Sequence, residues 1–342
     1  MISVERSLYD KFPALAAGAA QSLAQPAIGL VRRLACEERI NRALADFGSL
    51  AGFDFIERVL EHLKVSYSVA NTDRENIPVE GGVVIVANHP LGALDALALL
   101  HLVGGVRRDV RILANDVLAQ FVQLRSLLLP VEVFGTSRGG AAGLREAYRS
   151  LDAGRALVVF PAGEVSRIGP AGVRDGRWSS GFVRLVRKTG VPVLPVHVAA
   201  YNSVMFYGLS MLARPLSALL LAREMFGAAR GRIGFSVGGL IPAEALGGAS
   251  SPERLAQSMR RHVYRLPRRR PAVFDSLTAI AHPEAPQAVR QALRRGEELG
   301  RTHDGKRIVL LDAEPDCPAL REIGRLREVA FRRVGEGTGT RR

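Results

Sequence analysis

Residues 83–95 read VVIVANHPLGALD, and the fold follows from how that stretch is read. Val83 to Ala87 is a short apolar, β-branched run between Gly81-Gly82 and Pro90, which predicts a buried strand. DALALLHLV (95–103) then predicts a helix with Asp95 near its start. Downstream, the same alternation recurs. DVRILAN (109–115) and LLPVEVF (128–134) predict strands and GLREAYRSL (143–151) a helix. ALVVFPAG (156–163) predicts a strand, SSGFVRLVRKTG (179–190) a helix stopped by Gly190, and VPVLPVHV (191–198) a strand. RGRIGFSVGGLIP (230–242) suggests one more strand. SPERLAQSMRRHVYRL (251–266) suggests a helix capped by Ser251 with Pro252 in its first turn. Upstream, LVRRLACEERINRALADFGSLAGFDFIERVLEHL (30–63) carries apolar residues at helical spacing. The expected fold is α/β: a largely parallel central sheet flanked by helices, with a helical N-terminal region at 1–66. The α/β domain is expected over 67–300 and a C-terminal tail over 301–342.

Composition narrows the function. Of 342 residues, 47% are apolar and 23% charged, ordinary values for a globular protein, which excludes wholesale disorder and a disulfide scaffold. The formal charge is +14, and only Lys11, Lys64, Lys188 and Lys306 among the 47 basic residues are lysines. An arginine-rich surface suits an anionic partner, because the planar guanidinium forks onto phosphate and carboxylate. Nucleic acid fits poorly: no binding motif is present, aromatic residues reach only 6%, and the basic residues are scattered. Cys36 and Cys317 lie far apart, and no clustered Cys or His suggests a metal site. No P-loop or dinucleotide fingerprint implies a cofactor. The N-terminus does not read as a signal peptide, and no apolar run reaches the roughly 20 residues of a spanning helix. The expected location is cytoplasmic, peripheral on the inner face of the cell membrane.

In a sheet of this type chemistry gathers at the carboxyl ends of strands, and His89, Arg138 and Glu164 all follow predicted strands. Pro90 disfavours helical backbone at His89, so the histidine leaves the strand in an extended turn. On one helix His89 and Asp95 would be about 600° apart and face different sides. Across a strand, a loop and a helix start they can meet, and a histidine held by an aspartate is a tuned general base. The alternative is a loop histidine and an unrelated aspartate favoured by the helix dipole.

The blocks NHPLGALD (88–95), Phe134 to Arg138, FPAGEVSR (160–167) and VPVLPV (191–196), in that order, resemble the glycerolphosphate and lysophospholipid acyltransferase family. The similarity spans roughly Ile77 to Pro242. It is strongest to the hemolysin-type branch, which includes O-acyltransferases of ornithine-lipid and glycine-lipid synthesis. The resemblance implies catalytic roles for His89 and Asp95. It implies substrate-binding roles for Asn88, Phe134, Thr136, Arg138, Gly163, Glu164, Ser166 and Arg167, with Phe134 to Arg138 helping to hold the acceptor's polar head. It implies acyl carrier protein or acyl-CoA as donor co-substrate, a lysolipid acceptor, an anionic membrane surface as partner, and no metal or cofactor. Two departures from the commoner family pattern stand out. Five residues separate His89 from Asp95 instead of four, and Ala162-Gly163 separates Pro161 from Glu164.

Two readings from other classes compete. GTSRG (135–139) fits the G-x-S-x-G nucleophile elbow, with Ser137 as nucleophile and Asp175 or Asp275 with His197, His262 or His282 as partners. A non-catalytic, hemolysin-like membrane-binding protein would also explain the charge. The segment from Leu209 to Leu221, flanked by Arg214 and Arg223, is expected to lie at a membrane interface or in the core. In the tail, RIVLLDA (307–313) and CPALREIGRLREVAFRRV (317–334) predict a strand and a helix. Together they resemble the start of a GNAT-like N-acyltransferase domain.

Overall fold

The structure is a computed structural model describing residues 3–11, 19–114, 121–130, 138–170, 172–212, 214–227, 232–268, 270–312, 314 and 316–341. Its centre is a seven-stranded sheet in the order β1-β9-β8-β2-β5-β3-β4. The strands are β1 (Tyr67–Val69), β2 (Val83–Ala87), β3 (Val110–Ala114), β4 (Leu128–Pro130), β5 (Ala156–Val159), β8 (Val193–Ala199) and β9 (Ile233–Val237). Strands β6 (Arg167–Gly169) and β7 (Gly172–Arg174) form a separate antiparallel hairpin. Strands β2, β3, β4, β5 and β8 are mutually parallel, and β9 runs antiparallel to β8 with β1 parallel beside β9. The α/β architecture with a mostly parallel, helix-flanked sheet is therefore present. The reversal at β9 is a feature the pattern of apolar runs did not foretell.

β2 sits in the middle, and every one of its residues is buried. Its side chains alternate between faces, as a pleated strand requires. Val83, Ile85 and Ala87 pack with Phe55, Ile56 and Leu60 of the helix Gly52–His62 and with the helix Ala93–Gly104. Val84 and Val86 pack with Phe182 and Val186 of Gly181–Thr189 and with Leu255, Met259 and Val263 of Pro252–Val263. Fully burying a valine or isoleucine contributes about 1.5–3 kcal/mol, so two-sided burial holds this strand, and the loop that follows it, in one register.

Three further features bear on the site. Before β1, the described residues form helices at Val4–Lys11, Ala19–Leu34, Glu37–Phe47 and Gly52–His62. After β8, the chain turns into the helices Val204–Leu212 and Arg214–Phe226, which pack on each other. The side chains of 209–219, in the segment expected at an interface, lie outside the described residues. In the tail, the strands Glu297–Arg301 and Arg307–Leu310 pair antiparallel, and the helix Pro318–Arg333 packs on Pro286–Arg294. Arg341 closes this segment onto the α/β core through Glu75 and Asn76.

Candidate active site

The carboxyl ends of β2, β5 and β8 lie side by side, because β2 pairs with both of the others. The chain leaves β2 through Asn88, whose buried amide bridges to the neighbouring strand. Its Nδ2 donates to the Val198 carbonyl at 2.9 Å, and its Oδ1 accepts the Val198 N–H at 2.7 Å. Both ends of the side chain are thereby used on backbone, so this geometry makes Asn88 a clamp at the strand end and not a group facing substrate.

His89 follows, and Gly92 then turns the chain back with φ 80° and ψ −127°, backbone that only glycine adopts without strain. The turn starts the helix Ala93–Gly104, with Asp95 in its first turn. His89 Nδ1 lies 2.8 Å from Asp95 Oδ1, with the imidazole 18% exposed and the carboxylate fully buried. Neither atom has another hydrogen-bond partner among the described residues, so they face each other. The second oxygen, Asp95 Oδ2, accepts the Leu91 N–H at 2.8 Å and fixes the carboxylate. The imidazole also stacks on Phe160 at the end of β5, with ring centroids 4.1 Å apart. Burial by itself would depress the histidine's pKa. The Asp95 carboxylate, aided by Asp175, outweighs it and holds His89 above its ordinary value.

Asp175 is the residue that sequence reasoning did not place here. It is 2% exposed and sits just beyond β7. Its Oδ1 accepts the His89 N–H at 3.2 Å and the Ser166 hydroxyl at 2.5 Å, and its Oδ2 accepts the Trp178 indole N–H at 2.8 Å. Its own N–H donates to the Tyr264 hydroxyl at 2.8 Å, and its carbonyl accepts from Arg260. The Ser166 N–H in turn donates to the His89 carbonyl at 2.8 Å. Asp175 and Ser166 therefore grip the backbone of His89 on both sides. Burial raises the Asp175 pKa, and its hydrogen bonds from Ser166 and Trp178 offset part of that. In the sequence Asp175 stood out only as a candidate acid of the elbow reading, with no link to His89.

The other expected residues divide. Gly163, with φ 66°, shapes the turn after β5. Glu164 and Arg167 pair at 3.0 Å on its surface, and the Arg167 Nη1 is buried with no hydrogen-bond partner among the described residues. Ser166 is buried on Asp175, so its geometry is that of a support for His89 and not of an acceptor contact. Phe134, Thr136 and the Ser137 of the elbow reading lie outside the described residues, as does the side chain of Arg138, whose backbone opens the helix Arg138–Asp152. His262 Nδ1 accepts the N–H groups of Val273 and Phe274, and His282 bonds to the Ile77 carbonyl, so both serve structure.

A buried Asp beside a partly exposed His, at the mouth of three adjacent strands, can orient an imidazole and accept a proton from a hydroxyl. Comparison with known proteins gives this chemistry a context. A family model described as Acyltransferase matches residues 6–266. The chain is 28% identical over 246 residues to a lyso-glycine lipid O-acyltransferase of Phocaeicola vulgatus, covering 70% of this chain and 87% of that protein. It is 29% identical over 247 residues to a lyso-glycine lipid O-acyltransferase of Bacteroides thetaiotaomicron, covering 70% and 89%. Among solved structures, the 1-acyl-sn-glycerophosphate (LPA) acyltransferase PlsC from Thermotoga maritima matches with TM-score 0.41 and 21% identity, over 62% of this chain and 75% of that one.

Proposed function

The chain belongs to the Acyltransferase family, and on that premise we propose that it is an O-acyltransferase acting at a membrane surface. Its acceptor is the hydroxyl of a lysolipid, a lyso-aminolipid or lysophosphatidate, and its donor is the thioester of acyl carrier protein or acyl-CoA. The names of the two lyso-glycine lipid O-acyltransferases favour the aminolipid. Membership in an enzyme family also sets aside the non-catalytic alternative.

The observation that carries the mechanism is the 2.8 Å approach of His89 Nδ1 to Asp95 Oδ1. With Nδ1 turned to the carboxylate, Nε2 is the nitrogen that takes the acceptor's proton. The freed hydroxyl oxygen attacks the thioester carbonyl, a C–O bond forms and the C–S bond breaks. The proton passes from Nε2 to the leaving thiolate, so no acyl-enzyme is required. Asp95 stabilises the imidazolium formed in between. Proton transfer of this kind contributes about 10²- to 10⁴-fold, and alignment of the two substrates supplies much of the remainder. Glu164, Arg167 and Gly163 in the loop after β5, with Phe134, Thr136 and Arg138, are assigned to the acceptor's polar head.

No described helix is long and apolar enough to cross a membrane. Beside the catalytic loop, however, Tyr201, Val204 and Met205 are 69%, 89% and 45% exposed. The intervening Asn202 donates to the Pro90 carbonyl at 2.8 Å, which ties this apolar tip to the His89 turn. An exposed apolar tip on a basic protein suits contact with an anionic bilayer, from which a lysolipid can enter.

The test is incubation of the protein with labelled acyl carrier protein or acyl-CoA and a panel of lysolipids, followed by lipid separation. An O-acylated product that requires His89 is expected. Product formation undiminished in His89→Ala would refute the mechanism, and no acylated lipid from any pair would refute the function.

A further inference from the structure

Positive charge collects next to the catalytic loop in a place the mechanism does not use. Tyr264, the residue capping the helix Pro252–Val263, is its centre. The Arg174 guanidinium carbon lies 5.0 Å and that of Arg260 5.5 Å from the Tyr264 ring centroid, and the His197 ring meets it edge-on at 5.4 Å. His197 is on β8, two residues past Pro195, and Leu266–Arg268 packs against the same strand. Burial, with the nearby charges of Arg174 and Arg268, lowers His197 to about 4. Its imidazole is therefore neutral at physiological pH.

Among the described residues, none of Arg174, Arg260 and Arg268 forms an ion pair with a carboxylate. Asp175, whose N–H donates to the Tyr264 hydroxyl, spends its carboxylate on Ser166, Trp178 and the His89 N–H, and offers Arg260 only its backbone carbonyl. In addition, His197 Nδ1 and Arg260 Nε are buried with no hydrogen-bond partner among the described residues. Buried polar atoms without partners are rare, and guanidinium groups bind oxyanions through short, charge-assisted hydrogen bonds.

We propose that Arg174, Arg260 and His197, gathered around Tyr264, together with Arg268 on the turn that packs against the strand of His197, form a binding site for an oxyanion carried by a substrate. The site adjoins the reaction centre, because Arg174 precedes Asp175, which holds the backbone of His89. Two substrate groups have the required chemistry: the phosphate of the donor's pantetheine arm and the carboxylate of an aminolipid acceptor. The choice between them rests on the acyltransferase reading, but the existence of the site does not.

The first measurement is therefore independent of turnover. His197 is titrated by NMR in inorganic phosphate and in chloride at equal ionic strength. Phosphate is expected to move the His197 titration to higher pH, since a bound anion favours the imidazolium. Arg174→Gln and Arg268→Gln, each with its melting temperature unchanged, are expected to remove the effect. A His197 titration that phosphate leaves unmoved overturns the proposal.

The second measurement identifies the source. For a donor phosphate, Arg268→Gln raises KM about tenfold or more for acyl-phosphopantetheine and leaves acyl-pantetheine unchanged. For an acceptor carboxylate, KM rises for the free-acid lysolipid and not for its methyl ester. A variant that changes neither KM overturns assignment of the site to a substrate. Failure of the enzymatic reading looks different: no product from any donor, with the phosphate response of His197 intact.

Discussion

Asp175 accepts the backbone N–H of His89 at 3.2 Å although 86 residues separate the two in the chain. The contact places a second buried carboxylate against the histidine that already faces Asp95. It acts on the position of the imidazole through the backbone and on its basicity through charge.

That arrangement sets the response to pH. The proposed base works as neutral imidazole, so turnover should rise with pH through the folded pKa of His89, which the Asp95 carboxylate holds above the ordinary histidine value. Stability runs the other way. A raised pKa means that the protonated histidine stabilises the fold fully below its unfolded value, and this contribution is lost as pH climbs through the folded one. His89→Ala should cut acyl transfer by about 10²- to 10⁴-fold and flatten both trends. A pH–rate profile with its acidic limb below the ordinary histidine range would contradict the assignment.

Asp175→Asn removes one of the two charges that favour the imidazolium and turns an N–H group toward existing donors. We expect the acidic limb of the rate profile to move to lower pH, together with a stability loss of about 1–3 kcal/mol. Ser166→Ala, which keeps the charge, should reduce kcat without that displacement. A merely structural Asp175 would lower the melting temperature and leave the limb in place.

Gly92→Ala tests the turn between the two catalytic groups. At φ 80° and ψ −127° a side chain is strained, and its Cβ would lie 3.4 Å from Val165 Cγ1. The expected cost is about 1–3 kcal/mol, with kcat falling further than binding because Asp95 is displaced relative to His89. Unchanged kcat in a folded variant would show that the turn tolerates relaxation.

Membrane contact is tested at Val204, whose side chain makes the most exposed part of the apolar tip. Val204→Glu should weaken sedimentation with anionic vesicles and raise KM for vesicle-borne lysolipid, while a short-chain, monomeric acceptor is handled as before. Equal vesicle binding by the variant would place the contact elsewhere.

The tail offers a simpler experiment. The turn at Thr302–Gly305 is exposed between its two strands and is flanked by Arg301 and Lys306. Limited trypsin digestion should nick there and leave O-acyl transfer intact. Loss of activity upon cleavage would mean that the segment from 307 to 341, fastened by Arg341 to Glu75 and Asn76, supports the catalytic core.

Much of the sheet was legible because two-sided burial demands near-continuous apolar runs, and Val83–Ala87, Ala156–Val159 and Val193–Ala199 carry them. The His89–Asp95 pairing was legible because Pro90 and Gly92 dictate a turn between them. What could not be read were contacts made by loops. Nothing in GVRDGRWSS (172–180) marks Asp175 as the partner of a histidine one strand away. Likewise, the 33 residues between Ala199 and Ile233 can return the chain in either direction, so the antiparallel sense of β9 emerges only in three dimensions. The bonds of the Asn88 amide to Val198 were hidden for a related reason: they join residues 110 positions apart in the chain.

The Asn88 amide has a further effect on how the site behaves in time. By exchanging hydrogen bonds with both the N–H and the carbonyl of Val198, it imitates a peptide unit and adds a rung to the ladder just where β2 stops. Strand ends ordinarily open and close on short timescales, and a base mounted on such an end would wander relative to its substrate. Here the last rung is covalently part of the residue preceding the histidine. The His89 amide, bonded to Asp175, and the Val198 amide should therefore exchange with deuterium as slowly as the middle of the sheet. In Asn88→Ala, both should exchange early.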